Sequence, residues 1–295
     1  MTGEPPRRPR GAPRGGRRTG PLWLALELLL SGSLILLFVL PIAALLTYAP
    51  FSDLLAASQS ESVRAALGLT FLASGLSVLA ALFFAVPLGY LLARRAFRGR
   101  TVVEALVALP VVVPHLLVGL GLFFLVLPGT PLYRFTQAIG FPVYDTIWGV
   151  VLVMVFVSAP YTVLASELSF RAVDERVLEA ARALGAGGAT AFLTVTLPLA
   201  LRGIVAGLLL SWARSVSEIG GLLVLAYAVY PAGPYSGPVS STVSVLVYDL
   251  FQMGDLAQAA AVSSLFLLIA FALFLLVRIG ERSGWVPWRR GELVP

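Results

Sequence analysis

The chain has 295 residues, 58% of them hydrophobic and only 12% charged, and its mean hydropathy is +0.91. A soluble domain carries about 25% charged residues, so this composition excludes a water-soluble globule and points to an integral membrane protein. All 21 basic residues are arginine, for a formal net charge of +6, and neither lysine nor cysteine occurs; that excludes a P-loop of its own, disulfides, thiolate metal sites and a cysteine nucleophile.

Residues 1–20 form a Pro/Gly/Arg tail with Arg7, Arg8, Arg10, Arg14, Arg17 and Arg18. Such a segment cannot bury a core and is expected to be disordered. In a membrane protein its charge reads as a topology signal that meets anionic lipid headgroups, not as a nucleic-acid patch. The apolar run 22–48 is too long for the core of a signal peptide and lacks a small-residue cleavage site, so it reads as span one. Glu27 lies close to its edge and fits a structural role. Five further runs reach the roughly 20 residues that a transmembrane helix needs: 65–93, 102–127, 147–168, 199–226 and 257–277.

In the third run Pro110 and Pro114 stand four apart and predict a kink. His115, the only histidine, follows them; a lone membrane histidine most simply bonds a neighbouring helix. Pro128-Gly129-Thr130-Pro131 marks a turn. Residues 227–256 are rich in Pro, Gly, Ser and Tyr, and their apolar middle, 239–251, is ended too soon by Asp249, Gln252 and Asp255 for a full span. It reads as a re-entrant or interfacial helix.

The segment 173–198 is polar yet patterned. Val173, Val177, Ala181 and Leu184 recur at helical spacing. Asp174 can cap the helix start, with Val173 and Leu178 as a hydrophobic staple. Gly185 stands where a helix end favours positive φ. A second short helix, 189–195, is expected to stop at Leu197-Pro198. The segment therefore predicts a helix–turn–helix knuckle outside the bilayer.

If the connecting segments alternate sides, one side collects the tail arginines, Arg94, Arg95, Arg98, Arg100, Arg171, Arg176, Arg182, Arg202, Arg278, Arg282, Arg289 and Arg290. The other keeps only Arg64 and Arg134. Arginine accumulates on the cytoplasmic side, so both termini and the knuckle are expected there. The predicted fold class is an all-α polytopic membrane protein with six transmembrane helices. Its parts are a disordered tail 1–20, a six-helix domain 21–280 with a loop at 171–198, and a short cytoplasmic tail 281–295.

Charge inside a span marks a functional site by default. Arg214 and Glu218 are four apart in the fifth run, so they share one helix face and can pair. Ser211, Ser215 and Ser217 lie nearby, and Gly220-Gly221 allows close backbone approach or a bend. These residues read as a translocation path or gate, or else as an ion pair that locks helices together. No spaced nucleophile–base–acid set occurs, and no metal or cofactor site is expected.

Glu179-Ala180-Ala181, three residues, Gly185, nine residues, Val195, one residue and Leu197-Pro198 resemble the EAA loop of ABC-importer permeases, with Val195 in the slot of the family's isoleucine. The segment from Trp212 to Gly220, with Arg214, Glu218 and Gly220, resembles that of the molybdate, tungstate and sulfate branch, as does Leu109-Pro110-Val111-Val112-Val113-Pro114. The resemblance implies a permease subunit that is no enzyme itself. A cytoplasmic ATPase dimer would grip the knuckle through Glu179, Ala180, Ala181, Gly185, Leu197 and Pro198. An extracytoplasmic binding protein would deliver the oxyanion, and a second permease copy would complete the path. Sulfate, thiosulfate or another small solute is the alternative cargo. An ion-coupled secondary transporter and a non-transporting scaffold are the readings from other classes.

Overall fold

The computed structural model describes residues 21–282. The expected disordered tail 1–20 and the C-terminal residues 283–295, with Arg289 and Arg290, lie outside the described residues. The chain divides into two units, Met1–Tyr48 and Ala49–Pro295. In the first, helix α1 (Pro21–Tyr48) spans 28 residues and contains Pro41. Its hydroxyls turn back onto its own backbone: Ser33 donates to the Leu30 carbonyl at 2.9 Å and Thr47 to that of Ala43 at 2.8 Å. In hydrocarbon no water is present to satisfy them.

The second unit comprises α2 (Phe51–Gln59), α3 (Glu61–Arg94), α4 (Arg100–Val112), α5 (His115–Leu125), α6 (Pro131–Ala138), α7 (Ile147–Arg171), α8 (Glu175–Ala183), α9 (Gly188–Val216), α10 (Leu222–Leu225), α11 (Val243–Gln252) and α12 (Leu256–Arg282). Five helices, α1, α3, α7, α9 and α12, are long and apolar enough to cross a membrane. The pair α4–α5, bent by 115°, makes a sixth if it is one span. The six-run reading thus stands, with two short helices, α2 and α6, where the sequence offered only connecting segments. Among the described residues there is no strand, only isolated β-bridges.

Helix α7 runs through the middle of this unit. Ile147, Val150, Val153 and Met154 are fully buried, in a core shared with Leu69 of α3, Val118 and Leu122 of α5, and Leu222 and Leu225 of α10. Its seam with α9 is built from small residues. A Cβ on Gly207 would lie 2.6 Å from the Ala165 Cβ, and one on Gly203 would collide with the Ser169 hydroxyl. The Ser211 hydroxyl donates to the Ser158 carbonyl at 2.7 Å and meets the Thr162 hydroxyl at 2.6 Å. Lipid gives little hydrophobic drive for helix pairing, so close backbone approach and buried hydroxyls hold such seams.

Two helices carry a wide π turn, α3 at Ala81–Ala85 and α9 at Phe192–Thr196. Each is followed, two residues on, by a proline: Pro87 and Pro198. The Val86 N–H reaches back to the Ala81 carbonyl and that of Leu197 to Phe192. A proline lacks the N–H and crowds the carbonyl one turn back; an extra residue in that turn relieves the crowding. This corrects two expectations. Leu197-Pro198 does not stop the knuckle's second helix, which continues unbroken as α9. The apolar run 199–226 is not one helix either: α9 ends at Val216, and after residues 217–221 only the single turn of α10 follows.

Beyond α10 the chain folds as a compact cap on the N-terminal end of α7. Bridges pair Thr146 with Tyr230, Val229 with Ser240, and Ala232 with Tyr235. Asp145, with φ of 50°, receives the Tyr230 N–H on its carbonyl at 2.9 Å and donates its own to Leu225 at 3.2 Å. Gly233, at φ 57°, lies on the Trp148 indole. The following α11 is ten residues long, too short for a span, as the pattern at 239–251 predicts.

Candidate functional site

The knuckle forms as its sequence dictates. The Asp174 carboxylate accepts the Arg176 N–H at 2.9 Å, capping α8. Val173 and Leu178 are both buried in one cluster with Val86, Phe170, Ala191, Ala200 and Ile204. At the other end Gly185 has φ of 90°; its N–H reaches the Arg182 carbonyl at 2.9 Å, and the Ala186 N–H reaches Ala181 at 3.0 Å. These two bonds are the paired closure of a Schellman turn.

Of the apolar stripe, Val173 is buried and Ala181 half-buried, while Leu184 is 90% and Val177 45% exposed. Leu178 takes the buried position, because the chain enters α8 with Val173 already pointing inward. Glu179 and Ala180 are exposed as well, beside Arg176 and Arg182, so α8 keeps a mixed apolar and charged surface turned outward. Of the remaining knuckle residues, Leu197 packs against the buried cluster and Pro198 is exposed.

The knuckle's base is fixed from two sides. Tyr90, Phe170 and Phe192 form a ring cluster, with centroids 5.1 Å apart for Tyr90–Phe170 and 4.8 Å for Tyr90–Phe192. Arg94, the last residue of α3, donates to the Phe170 carbonyl at 2.7 Å and the Val173 carbonyl at 2.9 Å. Close by, Arg100 lies 2.8 Å from Glu104 and 3.5 Å from Glu167, and Arg171 pairs with Glu167. These contacts tie α3, α4 and α7 together where the knuckle leaves them.

The second site lies at the far end of α9. Arg214 Nη2 donates to Glu218 Oε2 at 2.8 Å. The pair was expected on one helix face, but Glu218 stands past the end of α9, in the break. Its other oxygen accepts the Gly221 N–H at 2.8 Å. A helix break leaves buried backbone donors without helical partners, and the carboxylate answers one of them. His115, the first residue of α5, rests on the same guanidinium nitrogen, with Nε2 at 2.6 Å and Nδ1 at 2.9 Å. Nδ1 is also 3.7 Å from Glu218 Oε2.

Two glycine contacts bring these elements together. A Cβ on Gly119 would lie 2.6 Å from the Gly221 carbonyl oxygen, and one on Gly220 would lie 2.8 Å from the His115 Cβ. The bend that delivers His115 falls at Val113-Pro114, where Val113 is extended (φ −70°, ψ 132°) as a residue before proline prefers. Pro110 remains inside α4, buried. Ser215 is fully buried and donates to the Trp212 carbonyl at 2.8 Å. Ser217 is exposed and receives Arg214 Nη1 at 3.4 Å.

Sequence reasoning did not join His115 to this pair. It lies 99 residues from Arg214, and no periodicity spans a helix break. The signal available was that a proline pair, a histidine and a buried ion pair all interrupt otherwise apolar runs. At the cap, burial raises the Asp145 carboxyl above the usual carboxylate range, opposed by the Ala228 N–H, the Tyr144 side chain and the Tyr227 N–H.

Comparison with known proteins adds a family. The model described as "binding-protein-dependent transport system inner membrane component" matches residues 85–283. The chain is 36% identical over 209 residues to the molybdate/tungstate transport system permease protein WtpB of Thermococcus kodakarensis, covering 70% of this chain and 75% of that protein. It is 36% identical over 285 residues to a probable molybdenum ABC transporter permease protein of Haloferax volcanii, covering 97% and 98%. In fold it is similar to a chain of the bacterial alginate ABC transporter in complex with its alginate pentasaccharide-bound periplasmic protein. There the TM-score is 0.67 at 19% identity, over 88% of this chain and 94% of that one.

Proposed function

Since the chain belongs to the binding-protein-dependent transport system inner membrane components, we propose that it is the multi-pass permease subunit of an ATP-driven importer of molybdate or tungstate. The relation to a molybdenum permease across almost the whole chain carries this reading of the cargo. The missing lysine assigns ATP hydrolysis to a separate subunit, since no P-loop can be built here. The arginine distribution puts both termini and the knuckle in the cytoplasm. A soluble binding protein on the other face supplies affinity for a dilute anion, and two permease copies line the path between them.

In this reading the ATPase dimer grips α8 at Glu179, Ala180 and Ala181, with Gly185 closing the turn. Glu179 makes a polar contact and moves no proton. The Arg94 clasp and the Tyr90–Phe170–Phe192 rings pass the displacement to α3 and α9 together. Helix α9 continues without interruption past Leu197-Pro198, over a length of about 40 Å at 1.5 Å per residue. It therefore links the knuckle to the charged break, which serves as the gate region with Arg214, Ser215, Ser217, Glu218 and Gly220.

The test is uptake into proteoliposomes holding the permease, its ATPase and its binding protein, beside calorimetry of the binding protein against molybdate, tungstate and sulfate. The expected result is ATP-dependent uptake of molybdate or tungstate, with sulfate bound far more weakly. Uptake that proceeds without the ATPase subunit refutes the importer reading. A binding protein selective for sulfate moves the cargo to that alternative.

A further inference from the structure

We propose that Arg214 is an oxyanion-binding step within the membrane and that Glu218 is its built-in stand-in anion, displaced from the guanidinium when cargo arrives. The inference rests on the transport reading above and names the ligand chemistry of the gate region.

The geometry is graded in exposure. The Glu218 side chain is 1% exposed, that of Arg214 17% and that of His115 38%. An anion approaching from the open side reaches the imidazole and then the guanidinium, and never needs to reach the carboxylate. The guanidinium presents a planar fork suited to the paired oxygens of a tetrahedral oxyanion. With no cargo, Glu218 Oε2 holds one arm of that fork, Nη2, at 2.8 Å, and the other arm, Nη1, donates to Ser217 at 3.4 Å. An unpaired charge inside a span is costly, so the resting site is neutral.

Displacement does not orphan Glu218. Its Oε1 stays on the Gly221 N–H at 2.8 Å, and His115 Nδ1 stands 3.7 Å from Oε2, close enough to take over as donor. His115 is thus a positioning residue that receives the carboxylate when Arg214 turns to the anion. The exchange also limits how tightly cargo binds. A dianion on Arg214 leaves Glu218 charged beside it, so the loaded site is net negative and the anion is pushed onward. Passage requires a site that is favourable to enter and weak enough to leave.

The test uses the purified permease–ATPase complex and equilibrium dialysis against tungstate, with bound metal counted by mass spectrometry. Glu218→Gln removes the competing anion and is expected to bind tungstate at least tenfold tighter than the unaltered protein. Arg214→Gln with Glu218→Gln is expected to lose that gain. Equal affinity in the unaltered and Glu218→Gln complexes overturns the proposal, as does a gain that survives loss of Arg214. Parallel dialysis against sulfate separates the two levels: tighter sulfate with no tungstate keeps the exchange site and refutes the cargo. If the single variant fails to assemble, the doubly neutral variant decides. Assembly with the ATPase together with uptake at the unaltered rate overturns the proposal, and assembly without uptake supports it.

Discussion

Gly185→Ala isolates the knuckle's turn from everything else in the protein. A Cβ at Gly185 meets no atom within 4 Å, so the substitution is not a steric one. What it meets is backbone conformation, since φ is 90°. Holding an L-residue in the left-handed region costs roughly 1–2 kcal/mol. The escape is to give up the two Schellman bonds, Gly185 to Arg182 and Ala186 to Ala181, each worth a net of about 0.5–1.5 kcal/mol. Both routes end near the same figure, and 1–2 kcal/mol is a factor of about 5–30 in the population of the formed turn. Amide exchange of residues 175–186, followed by mass spectrometry in the assembled complex, should quicken by that factor, and tungstate taken up per ATP should fall. Gly187→Ala is the control: Gly187 has φ of −65° and equally open surroundings, and should match the unaltered protein. Gly185→Asn should fall between, because Asn tolerates positive φ. Exchange and coupling in Gly185→Ala equal to those in Gly187→Ala would refute the reasoning.

Arg94→Met removes both bonds to the Phe170 and Val173 carbonyls. It should lower stability by about 1–3 kcal/mol and reduce uptake more than ATPase activity, with Arg94→Lys restoring part; thermal unfolding and the uptake-to-ATP ratio check this. Gly221→Ala places a Cβ 2.5 Å from Val153 Cγ1 and should force the break away from α7, abolishing uptake. Gly121→Ala, with no atom within 4 Å, should be silent in the same transport assay. Burial raises Asp145 above its usual range, so the fold favours its protonated form. That contribution is complete below the unfolded value of about 3.9 and is lost as pH rises through the folded value. Asp145→Asn should therefore raise the melting temperature at neutral pH, with the gain shrinking to nothing near pH 4. A gain confined to acid would contradict this sign.

The parts legible in the sequence are those governed by local rules. Asp174 capping, the positive φ of Gly185 and the burial of Val173 with Leu178 each depend on neighbours within a few residues. The apolar runs follow from hydropathy alone. Where several local rules compete, the sequence pattern alone does not decide between them. Proline rules end a helix at Leu197-Pro198, but the π turn before it adds the residue that lets the helix continue. Periodicity groups Val173, Val177, Ala181 and Leu184 in one stripe, but packing of Val173 and Leu178 sets the rotation of the short α8 and leaves Val177 and Leu184 exposed. The charged trio was out of reach for a different reason. His115 meets Arg214 only because Val113-Pro114 bends one run by 115° and Gly119 lets the backbones touch.

The sequence leaves the Arg214–Glu218 pair either lining a path or locking helices, and the structure shows what holds the pair. Residues 217–221 leave the helix, and the freed Gly221 N–H, buried, requires an acceptor. Glu218 supplies it, with burial to 1%. A carboxylate so buried requires a counter-charge, and Arg214, one turn back, is the residue placed to give it. The guanidinium then carries a second contact to His115, at the other broken run. The break after α9 is thus capped by its own Glu218, and Arg214 joins it to His115 at the other interruption. Neither break can open without disturbing these contacts, while the pair itself can part with Glu218 Oε1 still on the Gly221 N–H. In the transport reading, a lock of this kind at the meeting of two interrupted helices is what a gate consists of.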